Sequence, residues 1–158
     1  MPSNPAYIDA LKMLARRELS EAQIRQRLVR KEHDEADIDD AVARLKDERA
    51  IDDTRVAEAI ARSEISIRKR GRLRVKQKIQ SVGIASSTAK NAIDEVFGAI
   101  DSDELLESAL AKRLRAGKTI ADDREFNRLY RYLVGQGFES DRVVKLLRSR
   151  RNASRHER

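Results

Sequence analysis

Seven of the eleven residues from Arg68 to Lys78, RKRGRLRVKQK, are basic and none is acidic. On a helix over 72–82, Val75, Ile79 and Val82 point inward. Arg74 and Lys78 then share one outer face, and Arg72 and Lys76 share the next. Arg68, Lys69 and Arg70 fall on the entry turn. Like charges four residues apart weaken an isolated helix by roughly 0.2–0.5 kcal/mol, so the run is expected to gain from an anionic partner rather than serve only as a solvated face. Such charge attracts phosphates without reading base sequence. A second basic stretch holds Arg142, Lys145, Arg148, Arg150, Arg151, Arg155 and Arg158. A third, Lys112, Arg113, Arg115 and Lys118, closes a helix, where the dipole favours positive charge in any case.

Other residues carry less chemistry. Asp52 and Asp53 are adjacent carboxylates, but no His, Cys or further carboxylate joins them, and helix capping accounts for them better than acid–base work. The two histidines, His33 and His156, are far apart, and cysteine is absent, which removes disulfides and thiolate zinc sites. There is no Gly-rich phosphate loop, nucleophile elbow or metal-ligand spacing. The expectation is a protein that is not an enzyme and needs no cofactor and no metal. Phe138 belongs to the core. Tyr130 and Tyr132, two apart, cannot both face inward, which leaves one of them open for stacking or for a protein partner.

The elements that position these residues are helical. No alternating β-branched run appears, and both prolines, Pro2 and Pro5, precede the periodic region. The spacing predicts nine helices, near 6–17, 20–31, 35–49, 53–69, 72–82, 86–99, 101–116, 122–135 and 139–151. Ser20 with Gln23 forms a capping box, Asp53 opens the fourth helix and Ser140 the ninth. The apolar pattern repeats. A shift of fifty-one carries Ile24, Leu28, Ile38, Val42 and Leu45 onto Val75, Ile79, Ala89, Ile93 and Val96. A shift of fifty-four carries Val75, Ile79, Gly83, Ile84, Ala89 and Ile93 onto Leu129, Leu133, Gly137, Phe138, Val143 and Leu147. The fold expected is all-α, with three tandem three-helix, helix–turn–helix-like repeats in an elongated arrangement. Residues 1–50, 51–100 and 101–151 form the repeats, and 152–158 a mobile basic tail.

Charge sharpens the functional reading. The 158 residues carry a formal net charge of +7, with a pI near 9.9, which suits a polyanionic partner. Residues 1–50 hold ten basic and eleven acidic groups, whereas 51–100 hold ten and six. The second and third repeats are therefore expected to meet the polyanion. Asp34–Asp53, with nine acidic residues against three basic ones, would repel phosphates from the third helix, the position of a DNA-reading helix. No apolar run is long enough to span a bilayer and no secretory signal is visible, so the expected location is the cytoplasm, with no membrane contact.

Four segments resemble the RecX family, bacterial regulators of the RecA recombinase. They are ALKMLARRELSEAQIRQRL (10–28), IDDTRVAEAIA (51–61), GRLRVKQKIQSVGI (71–84) and GFESDRVVKLL (137–147). The chain departs from the family pattern at Glu32, where a turn glycine is favoured, at His33, where an aromatic is usual, and at Val56, where Phe is preferred. The resemblance implies a monomer that binds the RecA nucleoprotein filament, lowers its ATPase and strand exchange, and blocks filament growth or promotes disassembly. Arg68, Lys69, Arg70, Arg72, Arg74, Lys76 and Lys78, with the basic residues of the last helix, would face RecA or its single-stranded or duplex DNA, contact with DNA alone being weak. The competing reading is a helix–turn–helix protein acting directly on duplex DNA.

Overall fold

The computed structural model describes residues 3–115 and 117–156, and among them the regular structure is entirely helical. The helices are α1 (Pro5–Leu14), α2 (Glu21–Arg30), α3 (Glu35–Asp47), α4 (Asp53–Ser66), α5 (Arg72–Ser81), α6 (Ser86–Gly98), α7 (Ser102–Ala111), α8 (Asp123–Gly135) and α9 (Ser140–His156). The starts of α1, α2, α4, α7 and α8 are set by side chains that satisfy orphan N–H groups. Asn4 accepts from the Ala6 N–H at 2.9 Å with Pro5 behind it. Ser20 and Gln23 form the reciprocal box. Asp52, rather than Asp53, caps α4 through the Arg55 N–H at 3.1 Å. Helix α7 stops at Ala111, short of the expected 116, and the stretch from Asn152, expected as a tail, continues α9 to His156. The rest of that tail, Glu157 and Arg158, lies outside the described residues.

The principal helix pairings are α1, α2 and α3 with one another, α4, α5 and α6 with one another, and α7 with α8 and α8 with α9. All the apolar residues of the repeating pattern, from Ile24 in the first set to Leu147 in the third, Ile84 and Phe138 included, are buried. They gather into two cores rather than three. One holds Ala6, Ala10, Leu19, Ile24, Leu28, Ile38, Val42, Leu45 and Ile51. The other runs without a break from Val56 to Leu147. Tyr130 and Tyr132, not expected to face inward together, are both partly buried against the second core.

The same joint links successive bundles. The Ser20 hydroxyl, fully buried, donates to the Val82 carbonyl. Fifty-one and fifty-four residues on, the Gly71 N–H donates to the Gln136 carbonyl at 2.9 Å. At the first joint Gly83 (φ 81°) lies against the Cβ of Ala22; at the second, Gly137 (φ 98°) lies against the backbone of Arg74 and Gly71. A side chain at either glycine would meet those atoms and also adopt a strained left-handed backbone. Each joint thus seats a turn of one bundle on the start of the middle helix of the bundle before it. This sets α5 and the α4–α5 turn beside α7 and α8.

Candidate polyanion-binding surface

The α4–α5 turn, α5 and the α7–α8 pair bound an open trough in three adjoining stretches. Arg68, Arg70, Arg74, Gln77, Lys78 and Ser81 line the first. Arg68 and Arg70 continue into the second with Ile67, Lys112, Arg113, Tyr132 and Gln136. Lys112, Arg113 and Tyr132 continue into the third with Arg128 and Leu129. No carboxylate lines any of the three. The Arg113 guanidinium lies over the Tyr132 ring, 4.5 Å from its centroid, which leaves a planar cation on the wall. The Lys112 ammonium donates to the Ile67 carbonyl at 3.1 Å and ties α7 to the end of α4.

The seven cations of 68–78 divide among different tasks. Arg74 and Lys78 share the trough face of α5, and Arg68 stands at its entrance, 3.9 Å from Glu64. Arg70, expected to face a partner, turns inward. Its side chain is 16% exposed and donates to Glu64, itself 7% exposed, at 2.6 Å. It forms the floor of the trough rather than a free cation, because a buried carboxylate needs its charge compensated. Arg72 pairs with Asp94 at 2.8 Å, 5.0 Å from the Phe97 ring centroid, on the other side of α5. Lys69 closes α4 in a left-handed conformation (φ 53°), its N–H donating to the Ile65 carbonyl at 3.1 Å. Lys76 is exposed and outside the trough.

The structure does not bring the α9 cations onto this wall. Arg142 approaches Asp103 (3.7 Å) and, with Arg72, lines a separate small cavity of about 120 Å³. Arg151 pairs with Asp123 at 2.6 Å. Lys145 and Arg148 are exposed and Arg150 is half-buried, all away from the trough. Conversely, Arg128 and Tyr132 join the wall without having been expected there, and the third basic cluster, set aside as a dipole effect, supplies Lys112 and Arg113. Spacing within one helix gives no sign of this, because the trough forms only when the glycine joint brings α5 beside α7 and α8.

His33 is half-buried and hydrogen-bonds Asp9 at 2.7 Å. That bond, more than the nearby Lys31, holds the Asp9 carboxyl below its ordinary value. Asp53 accepts from the Glu21 N–H at 2.9 Å, so the second carboxylate of the pair serves α2 across the first joint. Among the described residues no three His, Cys, Asp or Glu side chains gather as metal ligands, and no helix is long and apolar enough to cross a membrane.

The described residues define an all-helical class of protein, tandem helices with an open trough lined by cations. Comparison with known proteins makes the class specific. Residues 6–45 match the family description "RecX, first three-helix domain" and residues 52–93 match "RecX, second three-helix domain". The chain is 33% identical over 135 residues to the Regulatory protein RecX of Halorhodospira halophila, covering 85% of this chain and 81% of that protein. It is 31% identical over 140 residues to that of Syntrophotalea carbinolica, covering 88% and 92%. The crystal structure of RecX from Lactobacillus salivarius superposes with a TM-score of 0.74 at 20% identity, over 91% of this chain and 93% of that one. The chain belongs to the RecX family of regulatory proteins.

Proposed function

We propose that this protein is an inhibitor of the RecA recombinase that docks on the RecA–DNA filament through the trough between α5 and α7–α8. The observation that carries this reading is the unbroken run of cations along the trough, Arg68, Arg74, Lys78, Lys112, Arg113 and Arg128, with no lining carboxylate. An open wall of this kind suits a polymer and encloses no small substrate. Bundles in tandem offer contacts to neighbouring protomers, so binding lowers ATPase and strand exchange by hindering growth or favouring disassembly of the filament. RecA as the target follows from the resemblance set out above, and a cytoplasmic monomer suits it.

The competing reading, direct helix–turn–helix recognition of duplex DNA, has less support. Of the three helices in the recognition position, α3 opens with Glu35 and Asp37 and α6 carries Lys90 as its only cation, so neither presents the basic face that a major-groove helix needs. The third, α9, is basic, but two of its arginines are committed to carboxylates, Arg142 to Asp103 and Arg151 to Asp123.

The test is RecA ATPase on single-stranded DNA, titrated with this protein. Wild type should lower the steady-state rate. A variant with Arg68→Glu, Arg74→Glu, Lys78→Glu and Arg113→Glu should not, while keeping its helical circular dichroism. Full inhibition by that variant would remove the trough from the mechanism, and no inhibition by wild type would remove the function.

A further inference from the structure

The charge balance of residues 1–50, ten basic against eleven acidic, conceals a sharp separation in space. The carboxylates concentrate along α3, where Asp37, Asp39, Asp40 and Asp47 accompany Glu35. Two ion pairs hold that helix to α2, Arg25–Asp39 at 2.7 Å and Lys46–Glu21 at 3.6 Å. The opposite charge collects between α1 and α2. A cleft of about 550 Å³ there is lined by Lys12, Arg16, Arg17, Arg27, Arg30 and Lys31, with Met13 and Asp9 as its other walls.

Asp9 does little to neutralise this cleft. It is held by His33 at 2.7 Å and by Lys31 at 3.9 Å. Among the described residues the other five cations have no carboxylate within ion-pair distance. Five uncompensated cations around one concavity raise its potential and draw in anions. Arg16 and Arg17 follow the end of α1, and Arg27 and Arg30 lie in the last turn of α2, so the cations converge on the cleft from two helix ends.

We propose that the α1–α2 cleft is a second binding site, for the phosphodiester backbone of a nucleic-acid strand, distinct from the α5–α7–α8 trough. Three features favour phosphate over an acidic protein surface. Four of the six cations are arginines, whose planar forks grip phosphate oxygens in pairs. Met13 is the only apolar side chain in the lining and no aromatic is present, whereas protein interfaces are anchored by buried aromatic and aliphatic groups. The cleft is also open, as a through-running chain requires. Its two rows of cations would contact sugar-phosphate without touching base edges, so binding is independent of sequence.

The inference stands on the α1–α2 cleft alone and is tested without RecA. Anisotropy of a fluorescent oligothymidylate is titrated with the full chain across salt from about 50 to 200 mM. Wild type should bind, with a negative slope of log affinity against log salt. Replacing Arg16, Arg17, Arg27 and Arg30 together by Ala should weaken binding about tenfold or more and reduce the slope by roughly 2–3, the share of four single-strand phosphate contacts. Arg16, Arg17 and Arg30 are exposed and Arg27 is half-buried, none of them in the apolar core, so helical circular dichroism should be unchanged. The trough variant described above serves as the comparison and should retain this slope component. Because the chain has no cysteine, Met13→Cys carrying a photo-crosslinker reports position directly and should crosslink to the strand. Wild-type affinity and slope in the Arg→Ala variant would overturn the proposal, as would the absence of crosslinking. A variant that binds DNA normally but fails to bind RecA would assign the cleft to an acidic protein surface instead.

Discussion

Arg70 and Glu64 show how one residue's charge can be committed inside a segment that otherwise faces solvent. Their 2.6 Å pair sits at the edge of the second core, and the Arg70 Nε is buried without a hydrogen-bond partner. Removing one member strands the other's charge, whereas removing both need not cost stability. Glu64→Ala should therefore lower stability by about 3 kcal/mol, and Glu64→Leu with Arg70→Leu should recover most of it, as measured by urea denaturation of the single and double variants. In the α1–α3 bundle the comparable pairs respond to pH. The His33 ring holds the Asp9 carboxyl below its ordinary value of 3.8, and the Tyr7 hydroxyl, followed by Arg44, holds Glu48 below its ordinary value of 4.5. A carboxyl whose folded pKa is lowered stabilises the fold fully above its unfolded value and loses that contribution as pH falls through the folded one. Both pairs fasten α1 to the rest of its bundle, so α1 should loosen below about pH 4. The melting difference between wild type and Asp9→Asn should be present at neutral pH and vanish in acid; a difference independent of pH would assign it to packing instead. Little of this is visible along the sequence. Arg70 reads like its six basic neighbours because Glu64 lies six residues away, off any single helical face, and joins it only through the turn after α4.

At the level of elements, helix positions and the buried apolar set follow from sequence periodicity, because both depend on contacts a few residues apart. The joints do not. Gly83 and Gly137 follow helix ends and adopt the left-handed backbone that glycine favours there. Their second role, allowing a turn to lie against Ala22 or against Arg74 and Gly71, depends on which bundle follows which. The same reasoning explains Glu32, which stands where the fifty-one-residue shift places a counterpart of Gly83. It adopts the same left-handed backbone (φ 63°) but is exposed, so no neighbouring backbone demands glycine there. The asymmetry is testable. Gly137→Ala meets both a left-handed strain and a backbone contact, and should lower stability by roughly 2 kcal/mol or more. Glu32→Gly should change it by less than about 1 kcal/mol. Ser20→Ala removes both the α2 cap and the bond to Val82 and should cost about 1–2 kcal/mol. Thermal melts of the three variants rank the joints directly; equal effects at Glu32 and Gly137 would mean that the inter-bundle contact contributes nothing.

Across the whole molecule the decisive feature is that the helices of the described residues share two apolar cores. The joint between α2 and the α5–α6 turn is made largely of polar contacts, Ser20 to Val82, Glu21 to Asp53 and Glu18 to Arg55. The second joint is continuous with buried apolar packing, in which Phe97, Leu105, Leu106 and Phe138 belong to one core. Apolar burial contributes far more to cooperativity than a few hydrogen bonds do, since each fully buried Leu or Ile contributes roughly 1.5–3 kcal/mol against about 1 kcal/mol for a typical hydrogen bond. The α1–α3 bundle should therefore unfold on its own, while α4–α9 unfold together. Ile24 and Ile79 occupy equivalent positions, and both are fully buried. Ile24→Asp should abolish a minor part of the helical signal and leave the trough of α5, α7 and α8 able to act, whereas Ile79→Asp should abolish most of that signal and all trough-dependent binding. Circular dichroism amplitude across a denaturant titration distinguishes these outcomes, with two transitions expected for wild type. If Ile24→Asp instead unfolds the entire chain in one step, the polar joint is as strong a coupler as the apolar core, and the α1–α2 cleft and the α5–α8 trough must move as one rigid surface.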